Sequence, residues 1–147
     1  MKELTHMHLT VNARVDRNFL ELPKEKAQKF VNELMKITNM KPLGPLNWSD
    51  AADLDFPGQS FVQMITTSHS SLHFFRDESG NGENNEIYFD LYSCKDFDIE
   101  RTVEYVVKAF GIGNHSKRVT KRGREFPKDM DMVENIMDAD RGKVSDN

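Results

Sequence analysis

The chain has 147 residues, of which 37% are hydrophobic and 10% aromatic, and it carries a net charge of −4 at pH 7. This length and composition predict one folded domain, built as a single sheet with a few helices, and argue against disorder over most of the chain. The charge balance gives no indication of nucleic acid as a partner. One cysteine cannot form an internal disulfide, and neither a secretory leader nor a long apolar span is visible, so we expect a cytoplasmic protein without membrane association.

The N-terminal part predicts a strand, a helix and a long loop. Apolar and polar residues alternate between His6 and Val15, as in a half-buried strand, and this alternation places His6 and His8 on the polar face. Pro23 then opens a stretch whose apolar residues recur at helical spacing, and proline is well tolerated at the first helical position. Residues 41–58 are rich in proline and glycine, which indicates a loop with one short strand.

The middle of the chain predicts three further strands. Residues 60–67 and 71–76 have strand character, and residues 78–85 form an exposed turn. The clearest strand follows that turn. Its alternation separates two faces, one with Ile87, Phe89 and Leu91, which we expect helices to cover, and the other with Tyr88, Asp90, Tyr92 and Cys94.

The C-terminal part predicts a helix, an edge strand and an extension. Asp98 is a suitable N-cap for the helix, and Gly111 is a suitable stop. Residues 115–126 are basic, which suits an edge strand because charged side chains protect an edge from pairing with another chain. We predict a single domain over residues 1–126 and an acidic, methionine-rich, partly disordered extension over residues 127–147.

Hydroxyl, imidazole and thiol groups are concentrated in two neighbouring predicted strands. A single cysteine usually acts as a small buried hydrophobic residue, but Cys94 ends a strand on its polar face, where a thiol can be partly exposed. His69 and His73 have the spacing of a metal pair on a helix but lie in a predicted turn and strand, so we predict no metal site. A serine hydrolase built on Ser68, His73 and Asp90 would lack the G-x-S-x-G motif.

Three successive motifs resemble those of one enzyme family. They are Phe56-Pro57-Gly58-Gln59-Ser60, Ser68-His69-Ser70-Ser71-Leu72-His73 and Phe89-Asp90-Leu91-Tyr92-Ser93-Cys94. Over residues 5–112 the chain resembles the bacterial and archaeal S-adenosylmethionine decarboxylases, which are pyruvoyl enzymes of polyamine synthesis. The resemblance implies an α+β two-layer sandwich, in which two helices cover one face of an antiparallel sheet, and a homodimer of processed protomers.

The resemblance also implies a role for each matching residue. Ser68 becomes the cofactor: its hydroxyl attacks the carbonyl of Thr67, and elimination then leaves a pyruvoyl group at the start of the longer chain. His73 removes the α-proton in that elimination, Ser60 assists the acyl shift, and Cys94 later returns a proton to the substrate carbon. A pyruvoyl ketone forms a Schiff base with the substrate amine and takes up the electrons released as carbon dioxide leaves.

The chain departs from the family pattern at three places. Thr67 stands where the family usually has glutamate, and Phe74-Phe75-Arg76-Asp77 replaces T-W-P-E. The loop before Ser60 is one residue tighter than the usual P-x-G-x-S. We expect Phe56 in this loop to stack on the adenine of the substrate, because an aromatic ring can stack there and the side chain of Leu54 cannot.

Three functions are compatible with these residues. The first is decarboxylation of S-adenosylmethionine to the aminopropyl donor for spermidine synthesis, after self-cleavage between Thr67 and Ser68. The second is decarboxylation of arginine or ornithine by a pyruvoyl enzyme of the same family, since the departures lie close to the expected pocket. The third is an uncleaved, non-catalytic homologue that acts as a binding or regulatory partner.

Overall fold

In the part of the chain that the structure describes, six strands form one antiparallel sheet, and two helices pack on one of its faces. The structure is a computed structural model and describes residues 6–51, 55–66, 68–77 and 82–122. The strands are β1 (His6–Arg14), β2 (Asn47–Ala51), β3 (Gly58–Ile65), β4 (Ser68–Phe75), β5 (Glu86–Ser93) and β6 (His115–Arg122). Their order across the sheet is β2-β3-β4-β5-β1-β6, and every neighbouring pair is antiparallel. The predicted α+β sandwich is confirmed.

Both helices begin close to their predicted signals, and the second also ends at its predicted stop. The first helix, α1 (Lys24–Thr38), starts directly after Pro23 and ends at Asn39, whose φ of 55° is left-handed. The second, α2 (Ile99–Phe110), begins after Asp98, whose side chain accepts a hydrogen bond from the amide of Arg101, and ends at Gly111 with φ 63°. Each end therefore has a local residue that satisfies or redirects the backbone. Neither helix is long and apolar enough to cross a membrane.

The hydrophobic core lies between the helices and one face of the sheet. Alternate residues of the central strands are fully buried there, including Leu9, Leu72 and Phe89. Phe30 of α1 is at the centre of this layer, with ring centroids 5.9 Å from Phe61, 6.0 Å from Phe89 and 5.3 Å from Phe110. The burial of these rings holds α1 and α2 on the sheet and fixes which face of each strand is covered.

The structure corrects the predicted bounds of two strands. Strand β3 spans Gly58–Ile65 rather than residues 60–67. Strand β4 begins at Ser68 rather than at residue 71, because Ser68 pairs with Ile65 of β3 and Ser93 of β5. The basic edge strand is confirmed as β6, in which all eight residues are exposed. Residues 123–126 and the predicted extension over residues 127–147 lie outside the described residues.

Candidate active site

Two of the predicted site residues, Ser60 and His73, lie on the sheet face opposite the helices, which we call the open face. Every second residue of the four adjacent strands β3, β4, β5 and β1 points to this face. Hydrogen bonds and ring contacts connect these side chains from one strand to the next. The main ones are His6, His8, Ser60, His69, His73, Tyr88, Asp90 and Tyr92. The open face thus gathers four imidazoles with hydroxyl, phenol and carboxylate groups.

Ser60 and His73 form a hydrogen-bonded pair on the open face. They are opposite each other in the β3–β4 register, and the Ser60 Oγ lies 2.7 Å from the His73 Nδ1. Gly58, two residues before Ser60, approaches β4 so closely that a Cβ atom would lie 1.8 Å from the carbonyl oxygen of Phe74, and its φ is +155°. Only glycine permits this approach, which sets the start of β3 and with it the position of Ser60.

Ser68 lies on the covered face of the sheet and is 7% exposed. Its Oγ donates a hydrogen bond of 3.2 Å to the Oγ of Ser93, which also hydrogen-bonds the backbone of Lys95. The side chain lines a cavity of about 350 Å³ together with Asn39 and Thr66. Thr67 lies outside the described residues.

The structure does not bring Ser68 together with the Ser60–His73 pair of the same chain. Ser68 and His73 belong to one continuous strand, and five residues of strand span about 16 Å. The interval is odd, so the two side chains also point to opposite faces.

Cys94 follows β5 and lies one residue beyond Ser93, the partner of Ser68. Its Sγ is 3.5 Å from the Nδ1 of His6 and 4.0 Å from the hydroxyl of Tyr92, and His6 also hydrogen-bonds Tyr92. The pKa of Tyr92 is raised, by desolvation first and by the Cys94 thiol second. Arg122, whose guanidinium lies 5.5 Å from the ring centroid, has a smaller and opposite effect on this pKa. The thiol is therefore part of a polar cluster on the open face, at the same end of the sheet as Ser68 on the covered face.

Phe56 lines a cavity of about 570 Å³ on the open face, where His73, Phe75 and Tyr88 are also found. Phe56 is 67% exposed, so most of the residue is accessible for contact. Glu86 also lines this cavity and accepts a hydrogen bond of 3.0 Å from the Tyr88 hydroxyl, which raises the pKa of Tyr88. Aromatic rings beside carboxylates suit a ligand that is both aromatic and positively charged.

Two other groupings weighed from the sequence are arranged differently. Asp90 contacts His8 rather than His73, and Ser68 is on the opposite face, so a serine, histidine and aspartate triad is not assembled. His69 stacks on Tyr92 at 5.4 Å. Within residues 6–51, 55–66, 68–77 and 82–122, no three His, Cys, Asp or Glu side chains are grouped so that they could hold a metal ion.

The contacts of His6 and His8 with β5 were not predicted. The sequence placed both histidines on the polar face of β1 and placed Asp90, Tyr92 and Cys94 on the polar face of β5. The sequence did not show that β1 and β5 are neighbours, because the residues in contact are 82 to 88 positions apart. The signal available in the sequence was the alternation of polar and apolar residues, which gives β1 and β5 one polar face each.

Known proteins resemble the chain in sequence and in fold. The sequence profile of the S-adenosylmethionine decarboxylase family matches residues 7–123. The structure is similar to the crystal structure of the adenosylmethionine decarboxylase from Aquifex aeolicus VF5, with a TM-score of 0.61 and 19% sequence identity over 87% of this chain and 100% of that chain. No curated protein matches the chain. At this identity, the structural similarity describes the fold.

Proposed function

Because the chain belongs to the S-adenosylmethionine decarboxylase family, we propose that it decarboxylates S-adenosylmethionine with a pyruvoyl group made from Ser68. The chain first cleaves itself between Thr67 and Ser68, and the product of catalysis is the aminopropyl donor for spermidine. The observation that carries this proposal is the position of Ser68, which opens β4 beside Ser93 and hence one residue from Cys94. The cofactor precursor and the proposed proton donor are thus at the same end of the sheet.

The surroundings of Ser68 fit a serine-derived pyruvoyl group. The hydroxyl has a polar partner in Ser93, and the adjoining cavity gives the residue space to change shape. When formed, this group supplies a carbonyl that accepts the electrons released by loss of carbon dioxide. The remaining tasks belong to the protein, namely holding the substrate and moving protons.

The distance from Ser68 to His73 leads us to propose a homodimer with shared sites. A base must come within about 3 Å of the proton it removes, and about 16 Å of strand separates the two residues in one chain. We therefore propose that Ser60 and His73 of the partner subunit process Ser68 of the first chain. A two-fold axis then generates two identical sites per dimer.

The cavity beside His73 supports S-adenosylmethionine as the substrate. Phe56, Phe75 and Tyr88 can contact the adenine ring, and Glu86 is a partner for the positive charge of the sulfonium. Arginine and ornithine carry positive charge but no purine, so they would leave the rings without a stacking partner. Phe56 is the residue that we propose stacks on adenine.

Self-cleavage and substrate are tested separately. Mass spectrometry of the purified protein should show chains of 67 and 80 residues in place of the intact 147, whereas Ser68→Ala should stay intact. Carbon dioxide release is then measured with S-adenosylmethionine, arginine and ornithine. An uncleaved wild-type chain would favour the third function, that of a non-catalytic binding or regulatory partner. Carbon dioxide release from arginine or ornithine alone would overturn the proposal that S-adenosylmethionine is the substrate.

The shared site is tested by complementation. His73→Ala and Ser68→Ala chains with different affinity tags are expressed alone and together. Neither chain should be cleaved alone. In mixed dimers the His73→Ala chain should be cleaved, because its Ser68 meets His73 of the partner subunit. Absence of cleavage in isolated mixed dimers would show that His73 acts within its own chain or not at all.

A further inference from the structure

His6 lies beside the thiol that we propose returns a proton to the substrate. We propose that His6 is a positioning residue for Cys94, which holds the thiol in place and resupplies its proton after each turnover. The catalytic part of this inference rests on the proposed function, whereas the pairing of His6 with Cys94 does not.

The pairing arises from the register of β1 and β5. Met7 is opposite Ser93, so His6 at the start of β1 lies next to Cys94 just beyond β5. The Nδ1 of His6 is 3.5 Å from the Sγ of Cys94, and the same nitrogen hydrogen-bonds the hydroxyl of Tyr92. The His6 and Tyr92 rings are stacked with centroids 5.9 Å apart, which restrains the imidazole over the thiol.

Both partners are accessible to small molecules and yet partly enclosed. His6 and Cys94 are each partly buried. His69 on β4 stacks on the other side of the cluster, and the Arg122 guanidinium on β6 lies 5.5 Å from the Tyr92 ring centroid. The Cys94 thiol thus has polar neighbours on β1 and β5, namely the His6 imidazole and the Tyr92 hydroxyl, and Tyr92 is in turn held by contacts from β4 and β6.

The proton movement balances with water as the only other reactant. Cys94 gives its proton to the substrate carbon, so the S–H bond breaks, a C–H bond forms and a thiolate remains. The thiolate then takes the Nδ1 proton of a protonated His6, and the neutral imidazole regains a proton from water. His6 thus acts through Cys94 and does not touch the substrate.

The pairing is tested by the alkylation rate of Cys94, which is the single cysteine of the chain. The Ser68→Ala background removes cleavage and catalysis from the measurement. At pH 7, we expect His6→Ala and His6→Asn to lower the rate of reaction with iodoacetamide about fivefold, since an imidazole within hydrogen-bond reach promotes the reactive thiolate. The matched control is His115→Gln on β6, which should react like the parent. An unchanged or faster rate in both His6 variants would overturn the proposal.

The catalytic part is tested in the cleaved enzyme. Asparagine can keep a hydrogen bond near the position of Nδ1 but cannot relay a proton, so His6→Asn should cleave normally and keep KM while kcat falls about tenfold. A folded His6→Asn enzyme with wild-type kcat would overturn this part. If the wild type released no carbon dioxide while the alkylation rate still depended on His6, the proposed function would fail and the pairing would stand.

Discussion

The covered and open faces of the sheet are built from the same strands but carry opposite kinds of side chain. In β5, Phe89 is fully buried under the helices, whereas its neighbours Tyr88 and Asp90 are on the open face. The covered face supplies the hydrophobic core, with the buried hydroxyls of Ser68 and Ser93 at one end of it, and the open face carries the imidazoles. Residues adjacent in sequence should therefore contribute separately, one to stability and the other to chemistry.

Adjacent residues of β5 give the largest expected contrast. Phe89→Ala removes a fully buried ring and should lower the free energy of unfolding by about 4 kcal/mol. Tyr88 is 40% exposed, so Tyr88→Ala should change the free energy of unfolding by less than about 1 kcal/mol and instead raise KM. Urea unfolding and steady-state kinetics measure the two effects. Equal destabilisation by both variants would contradict the separation of the two faces.

Two serines of the open face test its chemistry without disturbing the core. Ser60→Ala removes the 2.7 Å hydrogen bond to His73 and should slow self-cleavage about tenfold, because the imidazole loses its orienting partner. Ser71→Ala, on the same face of β4, is the matched control and should cleave at the wild-type rate. The cleavage half-time is followed on denaturing gels. If both variants slowed equally, the Ser60–His73 pair would have no special role.

Tyr105, in the layer between the helices and the sheet, should contribute to stability but not to self-cleavage. Its contribution to stability should depend on pH. The hydroxyl of Tyr105 donates a 2.8 Å hydrogen bond to the carbonyl of Phe30, and burial together with Glu33 raises the pKa of Tyr105 from 10.0 to about 12. The fold therefore favours the neutral phenol. The stability that this preference contributes to the folded state is complete below pH 10 and is lost as the pH rises towards 12.

Tyr105→Phe should accordingly cost about 1 kcal/mol at pH 8. The difference from the wild type should become smaller at pH 11, because phenylalanine does not titrate. Urea unfolding at the two pH values measures this difference, and self-cleavage should proceed at the wild-type rate. A difference that grew with pH would mean that the ionised phenol is the favoured form.

Local signals were sufficient to predict the elements and their faces. The predicted start and stop signals Pro23, Asp98 and Gly111 each lie directly next to a helix bound in the structure, because capping depends on a few adjacent residues. The polar parity of β5 is also confirmed, since alternation is a property of the strand itself.

Long-range pairing could not be predicted in the same way. The polar run Ser68-His69-Ser70 resembles a turn, and only its pairing with β3 and β5 makes it a strand. The contact between His6 and Cys94 likewise depends on the position of β1 between β5 and β6. Several strand orders satisfy the same local patterns, so the shared location of these groups becomes visible only in the folded sheet.

The alternation within β4 also limits how this chain can change in length during evolution. Deletion or insertion of one residue between Ser68 and His73 would turn every later side chain of the strand to the other face, placing His73 towards the helices and Leu72 or Phe74 towards water. Single-residue length changes should therefore be absent from this interval among related sequences. A change in the length of the turn between β4 and β5 would not reverse the faces of the strands in this way, because the turn lies outside the paired strands.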